Sequence, residues 1–539
     1  MAERVPAVCA RPCTARRRVL RTGVGHAWRG ATALLAFTGF TGLAGLSAPA
    51  AAAGALCPAR ASRPKPPADA VDVRRFGVRG DGQQDDTVAL QRALDSLSNG
   101  QWLVFPPGRY RHHARLVLQR PGVTLFGYGA TLHATNPDDQ ALLIQASGVR
   151  VMGFTLTAVT DERRHAPWQS RLAIWRHGQG LPPVHDIELR DNRILESGPP
   201  GSPLANSSSS AAIFVHNVHG FVVLGNEVRR SLSDGIHITG GARQGQVIGN
   251  TIRESGDDMI AVVSYLGHLA VGEDRPEAIA RELPQRRLHG LVQDVLIADN
   301  DVAGQYWGRG ISVVGGEQVS IVNNRIDATT HGAGVYIARE QGWGTFGVRN
   351  VRVAGNHITR VQTTSAAYSV LSLPDRIKRT GHGAVELVAH QFDDEAKWPE
   401  LRQALTVQGV TVQDNTIEDS ATAGIRLGYG WNQSFVQTLR NMARRPFAGA
   451  PVRDVVLLNN RMQGVARGIE WLNALDAEGL LRASGNTLDG RPLLAPQSAP
   501  LLSQVHPPAL APQRNAQSVS AALATPATGS GLPCPREVR

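Results

Sequence analysis

Aromatic residues are scarce in this chain, 5% of 539 residues. That excludes a large aromatic-rich core and leaves Val, Ile and Leu, with 57 Gly for the turns. After residue 53 there is no dense Lys/Arg run with interleaved aromatics, so nucleic acid is not an expected partner. There is also no long uninterrupted apolar run. The stretch from about Ala31 to Leu46 is short and broken by Gly and Thr, which argues against a stable membrane anchor. Cysteine is limited to four, and Cys9 and Cys13 fall within the N-terminal leader. Cys57 and Cys534 remain, each followed by Pro, and would be free to pair in an oxidising compartment. Lipid modification of Cys57 is disfavoured by the bulky Leu56 before it. His216 and His219 have no convincing metal spacing with other residues, so no metal site is expected.

Residues 1–53 read as an export signal. Arg16-Arg17-Arg18 resembles a twin-arginine motif, the apolar stretch follows, and Ala48-Pro49-Ala50 or Ala51-Ala52-Ala53 supplies small residues for cleavage. The protein is therefore expected in the periplasm or outside the cell. The formal charge is +11, but the leader holds seven Arg and one Glu. The modest basic excess of the remainder would suit an acidic polymer. Residues 54–70 read as a linker, 71–490 as the folded domain and 491–539 as a Pro/Ala/Ser-rich tail.

One pattern recurs through the domain: a β-rich triplet, then Gly, Asp or Asn, then Asn, one residue, and an aliphatic. Examples are Asp191-Asn192-Arg193-Ile194, Gly225-Asn226-Glu227-Val228 and Gly249-Asn250-Thr251-Ile252. It continues through Asn300, Asn324, Asn356, Asn415, Asn460 and Asn486. Asn226 to Asn250 is 24 residues, Asn250 to Asn300 is 50 and Asn300 to Asn324 is 24. A repeat near 24, with a doubled interval where one copy has degenerated, predicts a stacked β-solenoid rather than a sandwich with chance spacing. Asn suits a left-handed turn, and stacked Asn side chains can bond the coils above and below. Polar, charged loops are expected at 265–290, 361–405 and 428–450, projecting as walls beside a groove. The second includes a helical-looking run from Phe392 to Lys397.

At the start of the domain, Val71 to Val78 reads as a strand, Gly80-Asp81-Gly82 as a turn, and Ala89 to Leu94 as an amphipathic helix over the open end of the first coil. This segment, through Val104-Phe105-Pro106-Pro107-Gly108, resembles the pectin-lyase-like superfamily. The resemblance implies an all-β fold, the right-handed parallel β-helix with an N-terminal capping helix. The superfamily holds hydrolases, lyases, epimerases and binding proteins, so the reaction has to come from the site.

Asp234, in Ser233-Asp234-Gly235-Ile236-His237, lies 23 residues before Asp257, in Gly256-Asp257-Asp258. One repeat apart, Asp234 and Asp257 should stack and bring three carboxylates together. Grouped carboxylates raise one another's pKa, which provides both a general acid and a base for glycosidic bond cleavage. These segments resemble the catalytic coils of glycoside hydrolase family 28, the polygalacturonases and rhamnogalacturonases. The resemblance implies Asp257 as general acid, with Asp234 and Asp258 positioning and deprotonating water, and inversion at the anomeric carbon. The next coils depart from that family. Arg309 stands where its His is expected, and Tyr336 and Ala338 replace the cations of its Arg-Ile-Lys motif. Asp375-Arg376-Ile377-Lys378 has the same letters without the strand context.

The leading expectation is thus an exported glycoside hydrolase acting on polysaccharide, with Asp234, Asp257 and Asp258 catalytic and Arg309, His237 and Tyr336 binding substrate. Hydrolysis calls for no cofactor. A uronate lyase or C5 epimerase is the alternative, with Arg309, Tyr336 or His237 acting on the proton and Ca²⁺ held by the Asp cluster. A glycan-binding β-helix without turnover is the third reading. Trp307, Trp343 and Trp431 are candidates to stack on sugars.

Overall fold

Each coil contributes short β-branched strands whose alternate side chains point inward, and each strand finds its partner in the next coil. The computed structural model describes residues 63–158, 166–176, 181–195, 211–231, 233–267, 275–304, 308–363, 380–391, 393–428, 452–471, 481–493 and 497–498. The leader, both remaining cysteines, Trp307, Asp375 to Lys378, Phe392, Trp431, most of the 428–450 loop and the tail after Ser498 lie outside the described residues. The strands form three faces of parallel ladders. The first face runs from Val71–Asp72 to Leu481–Ser484. The second carries Thr251–Arg253, Asp301–Ala303 and Arg325–Asp327. The third carries Ala211–His216, Asp234–Thr239, Ile260–Val263, Ile311–Val314, Val335–Arg339 and Val385–Ala389. The architecture is a right-handed parallel β-helix.

The core is a set of aliphatic stacks along the axis. Ile194, Val228, Ile252, Val302, Ile326 and Ile358 occupy one register position on successive coils, all buried. Each contributes roughly 1.5–3 kcal/mol by leaving water. Helix α1 (Thr87–Ser96) buries Leu90, Ala93 and Leu94 in the same core cluster.

The repeated asparagine forms a continuous ladder beside this core. Asn226 Nδ2 donates to Asn250 Oδ1 at 3.0 Å, Asn250 Nδ2 to Asn300 Oδ1 at 2.9 Å, and Asn300 Nδ2 to Asn324 Oδ1 at 2.9 Å. Each Oδ1 also accepts the backbone N–H of the preceding asparagine, and each Nδ2 also reaches a carbonyl, as Asn300 does to Val247 O at 2.9 Å. The ladder runs from Asn192 to Asn486. The turn chemistry divides between two residues. The left-handed residue is the one before the asparagine: Gly225 at φ 64°, Gly249 at 64°, Asp299 at 55°, Asn323 at 56°. The ladder asparagine is retained for its amide alone.

Two expectations need correction. The interval from Asn250 to Asn300 is one coil, because these residues bond each other directly and Thr251 pairs with Asp301. There is no degenerate second copy; the extra length is an insertion. That insertion is not simply a polar loop either. It contains α2 (Pro276–Gly290), whose Ile279 and Leu283 are buried with Leu266, Phe346, Leu401 and Leu405. Leu401 belongs to α4 (Pro399–Ala404), which follows α3 (Asp393–Ala396) in the next large insertion. The two insertions thus share a small apolar core outside the helix. Buried Arg339 ties the second one down, pairing with Glu395 at 2.9 Å and donating to Thr345 O and His390 O.

Candidate active site

The third face carries two rows of side chains in register. In the first row Asp234 stands beside Asp258, since Ile236 pairs with Ile260 and Gly235 N donates to Asp258 O. Arg309 follows Asp258, with Met259 N donating to Arg309 O. The direct neighbour of Asp234 is therefore Asp258, 24 residues on, and not Asp257 as the 23-residue spacing implied. Asp257 sits one position earlier at the turn. The second row runs Phe214, His237, Ala261, Ser312, Tyr336, Glu386. Arg426 and Glu470 continue it.

All three aspartates are nearly buried, yet their surroundings differ. Asp258 is held by donors. The Arg309 amide reaches its Oδ1 at 2.5 Å and the Ser312 hydroxyl its Oδ2 at 2.5 Å, with the Arg309 guanidinium 3.6 Å away. Asp234 Oδ2 lies 2.6 Å from His237 Nδ1. No side chain among the described residues hydrogen-bonds the Asp257 carboxyl. Burial, then the neighbouring Asp258, pushes Asp234 well above the usual carboxylate range. Burial, then Asp234 and Asp258, does the same to Asp257. Burial lowers His237 to about 4, so at neutral pH the imidazole is uncharged and one proton lies between it and Asp234. The ring stacks on Phe214, centroids 5.4 Å apart at 7°.

Gly308 is required by this packing. A Cβ there would overlap Asp258 Oδ1 and Asp257 Oδ1, so the turn that delivers Arg309 passes against both carboxylates with no side chain between. Arg309 also pairs with Glu340, and its guanidinium lies 4.3 Å above the Tyr336 ring. Burial opposes its charge, but Glu340 and Asp258 more than compensate and hold the guanidinium protonated. Burial, then Glu340, pushes the Tyr336 phenol well up.

Every residue expected at the site, Asp234, Asp257, Asp258, His237, Arg309 and Tyr336, is thus on one face within neighbouring coils. Sequence reasoning missed three others. Glu340 neutralises Arg309 from the end of the Val335–Arg339 strand. Tyr265 packs over the same face, where burial and then Asp234, Glu340, Asp257 and Asp258 push its phenol up. Glu386 follows Tyr336 in the second row. None sits in a repeating motif; only the strand register reveals Glu386, which stands on the coil after Tyr336. Among the described residues no three His, Cys, Asp or Glu side chains are arranged to hold a metal ion. The donor set therefore does not fit calcium, since Asp258 is already engaged by three donors. No helix among the described residues is long and apolar enough to cross a membrane.

Residues 70–161 match the family described as rhamnogalacturonase A/epimerase, pectate lyase-like. That segment ends before the first site residue. Among solved structures, the chain is similar to the catalytic domain of a GH87 α-1,3-glucanase variant in complex with tetrasaccharides: 12% identity, TM-score 0.51, covering 79% of this chain and 70% of that one. It is also similar to the catalytic unit of a thermostable GH87 α-1,3-glucanase from Streptomyces thermodiastaticus strain HF3-3, at 17% identity and TM-score 0.46, over 79% and 70% of the chains. A third is the A-module of a mannuronan C-5 epimerase from Azotobacter vinelandii, at 18% identity and TM-score 0.42, over 80% and 100%. No curated protein matches in sequence. At such identities the likeness is one of fold. The chain has the pectin-lyase-like right-handed parallel β-helix fold.

Proposed function

We propose that the chain is an exported polysaccharide-active enzyme, a glycoside hydrolase that cleaves by carboxylate acid/base catalysis. The observation that carries this reading is the unequal treatment of three clustered aspartates. Asp258 is saturated by donors, while Asp234 and Asp257 are buried beside it with raised pKa values. Like charges this close cannot all ionise, so one carboxyl of the pair keeps its proton near neutrality. Asp257, the one without a hydrogen-bond partner among the described residues, is the donor to the leaving oxygen. Asp234, its proton shared with His237, takes the proton of the attacking water, and Asp258 orients that water. The motif resemblance to family 28 supports the same assignment and implies inversion. The solved structures of similar fold include proteins titled as glucanases with bound tetrasaccharides and nigerose, which is consistent with a glycan substrate.

Elimination or C5 epimerisation is the second reading, favoured by Arg309 stacked over Tyr336. Both groups hold their protons tightly, which makes either a poor base. The test is a screen of the purified mature protein on neutral and acidic polysaccharides, with reducing-end and ultraviolet readouts, beside Asp257→Asn. New reducing ends that vanish in the variant support hydrolysis. An ultraviolet-absorbing unsaturated product replaces it with elimination. Turnover that survives in Asp257→Asn removes that residue from the mechanism, and binding without turnover marks a glycan-binding protein.

A further inference from the structure

The second row of the third face extends well past the aspartates. Successive rungs are about 4.8 Å apart, so Glu386 lies roughly 10 Å beyond Ser312 along the axis. Arg426 and Glu470 follow on the next two coils. This row is long enough to meet several sugars of a polymer laid along the axis, and its charges are informative.

Each arginine on this face, among the described residues, is already engaged by a carboxylate. Arg309 pairs with Glu340 and Asp258, Arg426 with Glu470 at 3.4 Å, Arg467 with Glu470, and Arg339 with Glu395. The histidines facing the row add no charge: burial brings His237 to about 4, and burial, then Arg309 and Arg426, holds His382 well below its ordinary value. The acids are in excess. Asp234, Asp257 and Glu386 have no cation bonded to them. Glu386 is buried and accepts only the Gly383 N–H, at 2.8 Å, among the described residues. Burial pushes its carboxyl up, against the opposing pull of Arg426.

A polyuronate would bring a carboxylate on every sugar into this surface. No cation is left to receive it, and a like charge placed against a buried acid is strongly unfavourable. An uncharged sugar meets the same surface well, because its hydroxyls donate to carboxyl oxygens and accept from Ser312 and Tyr336. We propose that the substrate is a neutral polysaccharide, with Glu386 accepting a sugar hydroxyl in the subsite two rungs beyond Ser312. This rests on the polysaccharide-active reading above and reverses the acidic preference suggested by net charge. That net charge is spread over the whole chain, whereas the face that carries the site is acidic.

The test is affinity electrophoresis through gels containing neutral polymers (α- and β-glucans, mannan, xylan) or polyuronates (polygalacturonate, alginate). The intact mature protein, Asp257→Asn and Glu386→Gln are run in parallel, and reducing ends are assayed on the same polymers. Retardation by a neutral polymer, unchanged at about 0.5 M salt where surface charges are screened, is the expected result. Glu386→Gln should weaken that binding about tenfold, with an unaltered thermal transition. Stronger, salt-sensitive retardation by a polyuronate overturns the proposal, even if its turnover still depends on Asp257 and the hydrolase reading stands. Neutral binding without new reducing ends leaves the proposal standing and removes hydrolysis. No retardation by either class overturns both.

Discussion

Two ladders climb this β-helix, and they use stacking for opposite ends. The asparagine ladder repeats one side chain that carries both donor and acceptor, so each rung satisfies the next. Asn250, Asn300 and Asn324 are buried and fully bonded. The carboxylate row also stacks side chains on neighbouring coils, but Asp234 and Asp258 offer only acceptors when ionised. Their proximity is repulsive and is offset by Arg309, Ser312 and a retained proton. A stack of self-complementary groups stabilises the fold, and a stack of like groups stores chemistry at a cost in stability.

The largest effect expected from breaking this contrast is on turnover. Asp257→Asn should lower kcat by about 10²–10⁴-fold while circular dichroism and the thermal transition stay native. Loss of the fold in that variant would instead make the residue structural. Next is Arg309→Met. It strips the charge from Glu340 and Asp258, and breaking such a buried network costs about 3–5 kcal/mol, read as a lower urea midpoint. An unchanged midpoint would mean that water already solvates these carboxylates.

Asn300→Asp turns the first ladder into a copy of the second. The new side chain cannot donate to Val247 O or Asn324 Oδ1 when ionised, and the variant should lose about 2–4 kcal/mol, less at pH 4 than at pH 8. Equal losses at both pH values would show that charge is not the cause. The smallest effect is the pH dependence of the wild type against Asp257→Asn. The folded pKa of Asp257 lies above its unfolded value. The native state therefore binds the extra proton, and its stabilising contribution is lost as pH rises above about 4 towards the folded pKa. The variant lacks this loss. It should be the more stable of the two at pH 8, and its advantage should shrink by up to about 1.4 kcal/mol per pH unit on acidification through that window. A constant difference would contradict the raised pKa.

The contrast also explains what was legible. The Asn rungs were readable because a ladder of identical amides demands the same residue on every coil. The insertion between Asn250 and Asn300 was misread as a second repeat because its length happens to match one, and only the direct amide contact distinguishes the two. Asp234, Asp257 and Asp258 were readable as a group from their near-repeat spacing. Their pairing was off by one, because the turn before each strand shifts the register by a residue. Glu340, Tyr265 and Glu386 left no signal, since a counter-charge or a groove residue follows no repeat. The helix at Thr87–Ser96 was readable from its apolar periodicity, and its role as a cap remains a proposal, testable by whether Leu90→Ala destabilises the first coil selectively in hydrogen exchange.

The sequence by itself determined the solenoid, through the asparagine period and the alternating aliphatics, because those patterns act locally and repeat. It also determined which acids would meet. Only the tertiary structure decided that Asp258 takes the donors while Asp234 and Asp257 are left to hold protons, and that every arginine on the face is engaged by an acid. Those outcomes depend on which coil lies beside which, on Gly308 allowing a turn to press against two carboxylates, and on side chains far apart in the chain sharing a few ångströms of poorly solvated space.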